Sequence, residues 1–399
     1  MMQNFDFSEI QTPFYLYDLD LLERTAAIAS REASRHGFFI HYAIKANHQP
    51  ENLCVMKRAG FGADCVSGNE VKLALNSGFT PDKIAFAGVG KTDPEILLAV
   101  ENQIFSLNCE SLEELEVIGT IAQHTGKIAN VALRVNPGID AKTHQHITTG
   151  LAENKFGIPI GQLNDALHYC SAHPFVRFVG LHFHIGSQIT SHEPFKGLCR
   201  KASEIWEVYD IDGHGGNVLN LGGGLGIHYD NPTTSPISDF SSFFNLMASN
   251  LSLPSGVKVH FELGRSLVGQ CGSLISRVLF VKKGHQKDFV IIDAGMTELL
   301  RPALYQAAHH IENPGSNGAL HNYDIVGPIC ESSDVFAQNY KLPQTSRGDL
   351  LFIRSCGAYA QSMTLRYNLR SCAPAYFISQ NKFYTNIKDQ PELSLPSFV

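Results

Sequence analysis

Six consecutive residues, Tyr42-Ala43-Ile44-Lys45-Ala46-Asn47, set one lysine where an apolar run that begins near Phe38 gives way to a loop. Burial against low-dielectric walls lowers a lysine's affinity for its proton, and the free amine is then a nucleophile toward an aldehyde. Among cofactors that aldehyde is pyridoxal 5'-phosphate. Two further features supply what such a cofactor needs. Leu221-Gly222-Gly223-Gly224-Leu225-Gly226 can turn successive backbone N–H groups toward a phosphate, because only glycine lets the backbone come so close. Glu262, within Phe261-Glu262-Leu263-Gly264-Arg265, offers an anion to a pyridine nitrogen. A protonated ring can take up the electron pair released when a bond to an amino acid's α-carbon breaks.

His182-Phe183-His184 opens a different chemistry, since two histidines two apart on a strand share a side and can chelate a metal. That reading needs acidic ligands at neighbouring strand ends, for which Asp64 and Glu262 are available. The company of Lys45 and the glycine run favours His182 as a satisfied interior histidine and His184 as a ring stacked on the cofactor. His48, His144, His146, His309 and His310 have no comparable context and read as loop or surface residues.

The elements that must position these groups form a regular series. Short apolar, β-branched runs occur at 38–44, 62–66, 83–87, 103–107, 130–135, 176–184, 217–221 and 257–262. Segments with helical spacing lie between them, at 51–59, 69–77, 94–100, 111–123, 160–171, 194–209 and 240–250. Pro94 near a helix start and Ser111 ahead of Glu114 are N-terminal punctuation. Eight strands alternating with helices predict a parallel sheet closed into a (β/α)8 TIM barrel, whose chemistry sits at the carboxyl ends of the strands. Polar residues fall there: Lys45 and Asn47, Asp64 and Ser67, Arg134 and Asn136, His184 and Ser187, the glycine run, then Glu262 and Arg265.

After Arg265 the pattern turns to strand-like runs at 274–282, 289–292, 323–326 and 350–353 without regular helical alternation, which predicts a second, mostly β domain. Residues 12–17 also read as a strand that can join it, ahead of a helix over 21–34. The expected organisation is a barrel over 21–268 and a β domain built from 1–20 and 269–399. Residues 231–238 and 313–318 read as exposed loops.

At 399 residues and 44% hydrophobic content the chain can bury a large core. A formal charge of −7 and the absence of a long Lys/Arg run argue against nucleic acid or a membrane surface as partner. No apolar stretch of roughly 18 residues occurs. The opening Met1-Met2-Gln3-Asn4-Phe5-Asp6 lacks a basic region followed by an apolar one, so a cytoplasmic protein is expected. Nine cysteines without a C-x-x-C pair signal neither a zinc site nor a disulfide frame, and most are expected to be buried small hydrophobes.

Taken in order, the motifs resemble those of the diaminopimelate decarboxylases, pyridoxal enzymes of the alanine-racemase-like fold. They are Tyr42 to Asn47, His182 to Gln188, Gly222 to Gly226, Glu262 to Arg265, Asp293-Ala-Gly-Met296, Arg301-Pro-Ala-Leu-Tyr305, Gly327-Pro-Ile-Cys-Glu-Ser332 and Gly357-Ala-Tyr359. The resemblance implies that Lys45 carries the cofactor covalently and that His184 stacks on the ring. It puts Asp64, Arg134, Ser187, Gly222, Gly223, Gly224, Gly264, Arg265 and Tyr359 around the cofactor, and pairs Glu262 with the ring nitrogen. Substrate contacts fall on Arg265, Arg301, Tyr305, Glu331 and Tyr359, and the proton donor on Cys330. In the family Cys330 and Glu331 complete the opposite subunit's site, so a head-to-tail homodimer is implied. Leu263 stands where the family usually has proline, and Ala360-Gln361 where glycine is common.

The implied reaction is decarboxylation of meso-2,6-diaminopimelate at its D-centre to L-lysine, the last step of lysine biosynthesis. The second amino-acid head of that substrate needs a cation and an anion, for which Arg301 and Glu331 are suitable types. The nearest alternative is a decarboxylase of ornithine, arginine or carboxynorspermidine on the same scaffold. Glu331 argues against it, because ornithine-type relatives tend to carry aspartate after the cysteine. A racemase would need a second base opposite Lys45, and a non-catalytic pyridoxal carrier would lack the β domain.

Overall fold

A computed structural model describes Phe5, residues 7–139 and residues 155–385. Strand β1 (Phe14–Asp18) leads directly into helix α1 (Leu19–Ser34), where the Asp18 carboxylate accepts the Leu21 N–H at 2.8 Å and caps the first turn. Eight parallel strands then follow: β2 (Phe39–Ala43), β3 (Gly62–Cys65), β4 (Ile84–Phe86), β5 (Ser106–Cys109), β6 (Ala129–Arg134), β7 (Val176–His182), β8 (Val218–Asn220) and β9 (Lys258–Leu263). Each pairs in parallel with the next, and β9 returns to β2 with Tyr42 opposite Leu263, so the barrel predicted from the alternation is closed.

The helices between strands are α2 (Pro50–Arg58), α3 (Gly68–Asn76), α4 (Asp93–Glu101), α5 (Leu112–Thr125), α6 (Leu163–Ala172), α7 (Glu193–Val208) and α8 (Phe240–Asn250). Their starts are written in local chemistry. Ser67 and Ser111 accept the N–H of Glu70 and Glu114, and Thr92 with Glu95 forms a reciprocal capping box. Apolar faces of α1 and α8 close over the barrel wall, where Phe244 packs edge-on against Phe261 of β9 with ring centroids 5.2 Å apart.

A short helix α9 (Arg265–Val268) hands the chain to the second sheet, formed by β10 (Gly272–Lys283), β11 (Asp288–Ile292), β12 (Ile311–Glu312), β13 (Leu320–Val326), β14 (Val335–Pro343), β15 (Leu350–Ile353), β16 (Ala375–Ser379) and β17 (Lys382–Tyr384), with helix α10 (Arg301–Tyr305) after β11. Strand β1 is inserted between β10, antiparallel, and β16, parallel, as expected for the N-terminal strand. Its alternation serves two cores. Phe14 and Leu16 join Phe7, Ile275, Phe352 and Ile378, whereas Tyr15 and Tyr17 face the main core.

Several expectations are corrected. The fourth barrel strand runs 106–109 instead of 103–107, because Gln103 takes a left-handed φ of 52° while closing α4. Strand β14 was not expected, since its outward face is polar and its apolar residues do not alternate cleanly. The β16–β17 hairpin escaped too: it turns on Gln380-Asn381, both at positive φ, where a glycine would have announced it. Asn313 is buried, its Nδ2 donating to Thr345 and Asp349, so that loop is not wholly exposed. His144 and His146 lie outside the described residues. Seven cysteines are buried as expected, and Cys330 and Cys372 are exposed. Among the described residues no helix is long and apolar enough to cross a membrane.

Candidate active site

Strand β2 ends in a single 3-10 turn, Ile44–Ala46, which lifts Lys45 into a cavity at the carboxyl end of the barrel. The second sheet's loop holds that turn in place. The Tyr359 N–H donates to the Ala46 carbonyl at 2.8 Å, and Asn47 Nδ2 donates to the Gly357 carbonyl at 2.9 Å. Tyr359 does so at a φ of 56°, a conformation non-glycine residues seldom adopt outside constrained sites.

Lys45 Nζ lies 3.1 Å from Asp64 Oδ2 on the neighbouring strand β3. Burial alone would depress the amine, as expected from the sequence. The negative charges of Asp64 and Glu262 outweigh it and hold the amine above its ordinary range. The free protein therefore stores Lys45 as an ammonium, which corrects the expectation of a lysine that sheds its proton by burial. Asp64 is fully buried with Oδ1 unpartnered, and burial together with the Glu262 charge pushes its carboxyl up.

Glu262, near the end of β9, is fixed by three other strands. Asn108 of β5 and Asn220 of β8 donate to Oε1 at 3.2 and 2.7 Å, and His182 of β7 reaches Oε2 at 2.9 Å. Burial opposes its charge, but His182 and Lys45 prevail and hold the carboxyl below the usual range. His182 Nδ1 is buried without a partner, so this histidine is satisfied on one side only. Its tie to Glu262 leaves the two histidines in different roles, because His184 lies beyond the strand and its Nδ1 accepts the Gly223 N–H at 3.2 Å. Burial, reinforced by Arg134 and Lys45, keeps His184 neutral.

The glycine turn packs tightly against the neighbouring strands. A Cβ at Gly223 would lie 2.0 Å from the Glu262 carbonyl oxygen, and Gly222 holds a φ of 67° with Asn220 Oδ1 accepting its N–H. Beyond it, Arg265 Nη1 donates to Tyr229 Oη at 2.5 Å and Nη2 to Ser187 Oγ at 3.0 Å, while its guanidinium lies 4.7 Å from the Tyr359 ring centroid. The Arg301 guanidinium lies 4.6 Å over the ring of the same Tyr229. Both arginines are buried, each has an unpartnered Nε, and among the described residues neither makes an ion pair. The cavity thus joins an ammonium and a carboxylate at its floor to two uncompensated guanidiniums at its side.

Of the expected site residues, Lys45, His184, Ser187, Gly224, Glu262, Gly264, Arg265, Arg301, Tyr305 and Tyr359 line this one cavity, with Asp64, Gly222 and Gly223 directly behind it. Arg134 turns instead to Glu110, at 2.6 Å. Cys330 and Glu331 are exposed and do not line the cavity. The Cys330 N–H donates to Asn368, and Glu331 accepts from Tyr367 Oη at 2.8 Å. Sequence reasoning missed Asn108, Asn220, Tyr229 and His309. An asparagine inside an apolar strand, as in Ser106–Cys109, was the available signal for the first two. His309, expected at the surface, is buried beside Arg301.

Residues 20–269 match the pyridoxal-binding domain of the pyridoxal-dependent decarboxylases, the class that a closed barrel with this lysine, glycine turn and buried glutamate defines. A diaminopimelate decarboxylase of Bacteroides thetaiotaomicron is 48% identical over 371 residues, covering 93% of this chain and 96% of that protein. The crystal structure of diaminopimelate decarboxylase from Helicobacter pylori complexed with L-lysine superposes with a TM-score of 0.88 at 37% identity, covering 96% of each chain. A Vibrio vulnificus lysine/ornithine decarboxylase complexed with cadaverine, 22% identical over 94% of this chain and 96% of its own, shares the fold with a TM-score of 0.81. The chain belongs to the diaminopimelate decarboxylase family, and its cofactor is pyridoxal 5'-phosphate. The residues present fit that group: Lys45, Ser187 and Gly224 line one cavity, and the buried guanidiniums of Arg265 and Arg301 there, without an ion pair among the described residues, suit an anionic ligand.

Proposed function

We propose that the protein decarboxylates meso-2,6-diaminopimelate at its D-centre, releasing carbon dioxide and L-lysine. The observation that carries this reading is the pair of buried arginines, 265 and 301, that line the cavity and, among the described residues, pair with no carboxylate of the protein. Such a wall favours a ligand that brings its own anions, and a buried guanidinium left unpaired penalises amines lacking the second carboxylate.

When bound, pyridoxal phosphate supplies an electron sink for the pair released as carbon dioxide departs. The chain's own residues do the rest. Lys45 is the amine that anchors the cofactor, and Asp64 holds its proton until attachment. Glu262, kept anionic by His182 and Lys45 and held in place by Asn108 and Asn220, would pair with the ring nitrogen and favour its protonated form. His184, neutral and lining the cavity beside Lys45, would pack against the cofactor ring. Ser187 and the Gly224 N–H would offer donors to the phosphate, while the Gly222 and Gly223 N–H groups are committed to Asn220 and His184; Gly264, Arg265 and Tyr359 would close that side, with Arg134 supporting the wall through Glu110. Arg301 and Tyr305 hold the distal amino-acid head.

The α-carbon that loses carbon dioxide must gain one proton, and Cys330 Sγ is the proposed source, with Glu331 binding the distal ammonium. Both sit on an exposed loop outside this chain's cavity, so they act on the site of a second copy in a head-to-tail homodimer. The cytoplasm is the proposed compartment, in keeping with nine cysteines and no disulfide among the described residues.

The reading is tested by incubating purified protein and pyridoxal phosphate separately with meso-diaminopimelate, ornithine, arginine and carboxynorspermidine. Carbon dioxide release from the first, well above the others, is expected. Preference for any of the other three overturns the substrate assignment.

A further inference from the structure

His309 lies in the loop after α10, buried, with each ring nitrogen committed. Nδ1 is 2.8 Å from the Arg354 carbonyl oxygen, which can only accept, so Nδ1 bears the proton. Nε2 is then a lone pair in the neutral ring, and it lies 2.8 Å from Nη1 of Arg301, which can only donate. Burial, reinforced by the Arg301 charge, pushes the imidazole down to about 3, so the ring is neutral at physiological pH. Tyr229 completes the clamp, with the Arg301 guanidinium over its face and the His309 ring meeting it edge-on at a centroid distance of 5.0 Å. The nearby carboxylate of Glu312 is engaged elsewhere, by Arg354 at 2.7 Å and His310 at 3.2 Å.

The chemical choice at position 309 decides what Arg301 can do. A carboxylate there would orient the guanidinium but cancel its charge; an apolar side chain would leave charge without orientation. A neutral imidazole locked in this tautomer supplies orientation while leaving the full positive charge, and the unpartnered Nε, for a ligand. We infer that His309 is a positioning residue that aims Arg301 at the distal carboxylate of the substrate and so sets selectivity for molecules that carry one. This inference rests on the substrate reading given above.

The test compares wild-type holoenzyme with His309→Leu, His309→Gln and His309→Glu. The readouts are KM and kcat for meso-diaminopimelate, and inhibition by L-lysine, which keeps the distal carboxylate, and by cadaverine, which has none. His309→Leu is expected to raise KM and the L-lysine inhibition constant about ten-fold or more, with kcat within about three-fold and cadaverine inhibition unchanged. His309→Gln, able to accept from Arg301 and donate to the Arg354 carbonyl, should recover most of the loss. His309→Glu keeps an acceptor against Arg301 and so remains informative if the leucine variant does not fold; it should weaken L-lysine and spare cadaverine. Equal weakening of both inhibitors, or no weakening of L-lysine in the leucine and glutamate variants, overturns the inference. Wild-type enzyme that releases no carbon dioxide from meso-diaminopimelate would instead defeat the substrate reading, independently of the variants.

Discussion

Asp64 sets its carboxylate 3.1 Å from the Lys45 amine, and this pairing reverses the effect of burial: the lysine is held as an ammonium until something displaces the proton. Replacing the carboxylate with an amide should lower the amine's proton affinity. In Asp64→Asn, the pH midpoint for covalent capture of pyridoxal phosphate, read from the absorbance of the bound cofactor, is expected to move down by about one unit or more. An unmoved midpoint would assign the proton's hold to Glu262 instead.

Glu262 is fixed by three donors from separate strands and kept charged by His182 and Lys45, so its replacement tests charge with little change of shape. Glu262→Gln should lower kcat by on the order of 10²-fold while the protein still folds and takes up cofactor. Turnover within about three-fold of wild type would remove the carboxylate from the electronic role given to it here.

The proposed sharing of each site between two subunits predicts complementation. Lys45→Ala and Cys330→Ala should each be nearly inactive, yet a re-equilibrated equal mixture should recover about a quarter of wild-type activity, because half the dimers are mixed and each has one intact site. A mixture no more active than its components would place Cys330 outside the reaction or the subunits outside a shared site.

How far this could be read beforehand depends on where the information lies. Eight alternating apolar runs forced a parallel barrel, and strand polarity then put Lys45, the glycine turn and Glu262 at one end, because each followed an apolar run directly. What escaped depends on long-range contact. Asn108 and Asn220 are polar residues in short strands, and only barrel closure brings both to Glu262. His309 sits in an irregular loop, and only the meeting of α10 with the β15 end at Arg354 shows it to be buried and bonded on both sides. The Lys45 protonation state differs from the expectation because burial is visible in the sequence and the surrounding carboxylates of Asp64 and Glu262 are not. Of the departures from the family pattern, Leu263 is absorbed into β9 as a buried residue, and Gln361 accepts a hydrogen bond from Tyr17 at 2.8 Å, tying the loop after Tyr359 to β1.

A buried neutral histidine also writes itself into the pH dependence of stability. The His309 value falls from about 6.5 in the unfolded chain to about 3 in the fold, so below 6.5 the unfolded state binds the extra proton. Its contribution is complete above 6.5 and is lost as pH falls toward 3. Over that window the unfolding free energy of the wild type should rise with pH more steeply than that of His309→Gln, by up to about 1.4 kcal/mol per pH unit. Denaturant titrations at several pH values between 5 and 7 check this, and parallel slopes would count against the buried neutral imidazole.

The central claim is that one amine, at the end of the first barrel strand, holds the cofactor. It is tested most directly by reducing the holoenzyme with borohydride, digesting it and locating the pyridoxyl group by mass spectrometry. The account predicts the label on the peptide containing Lys45 and its loss in Lys45→Ala; a label on any other lysine, or one that survives that substitution, would contradict it.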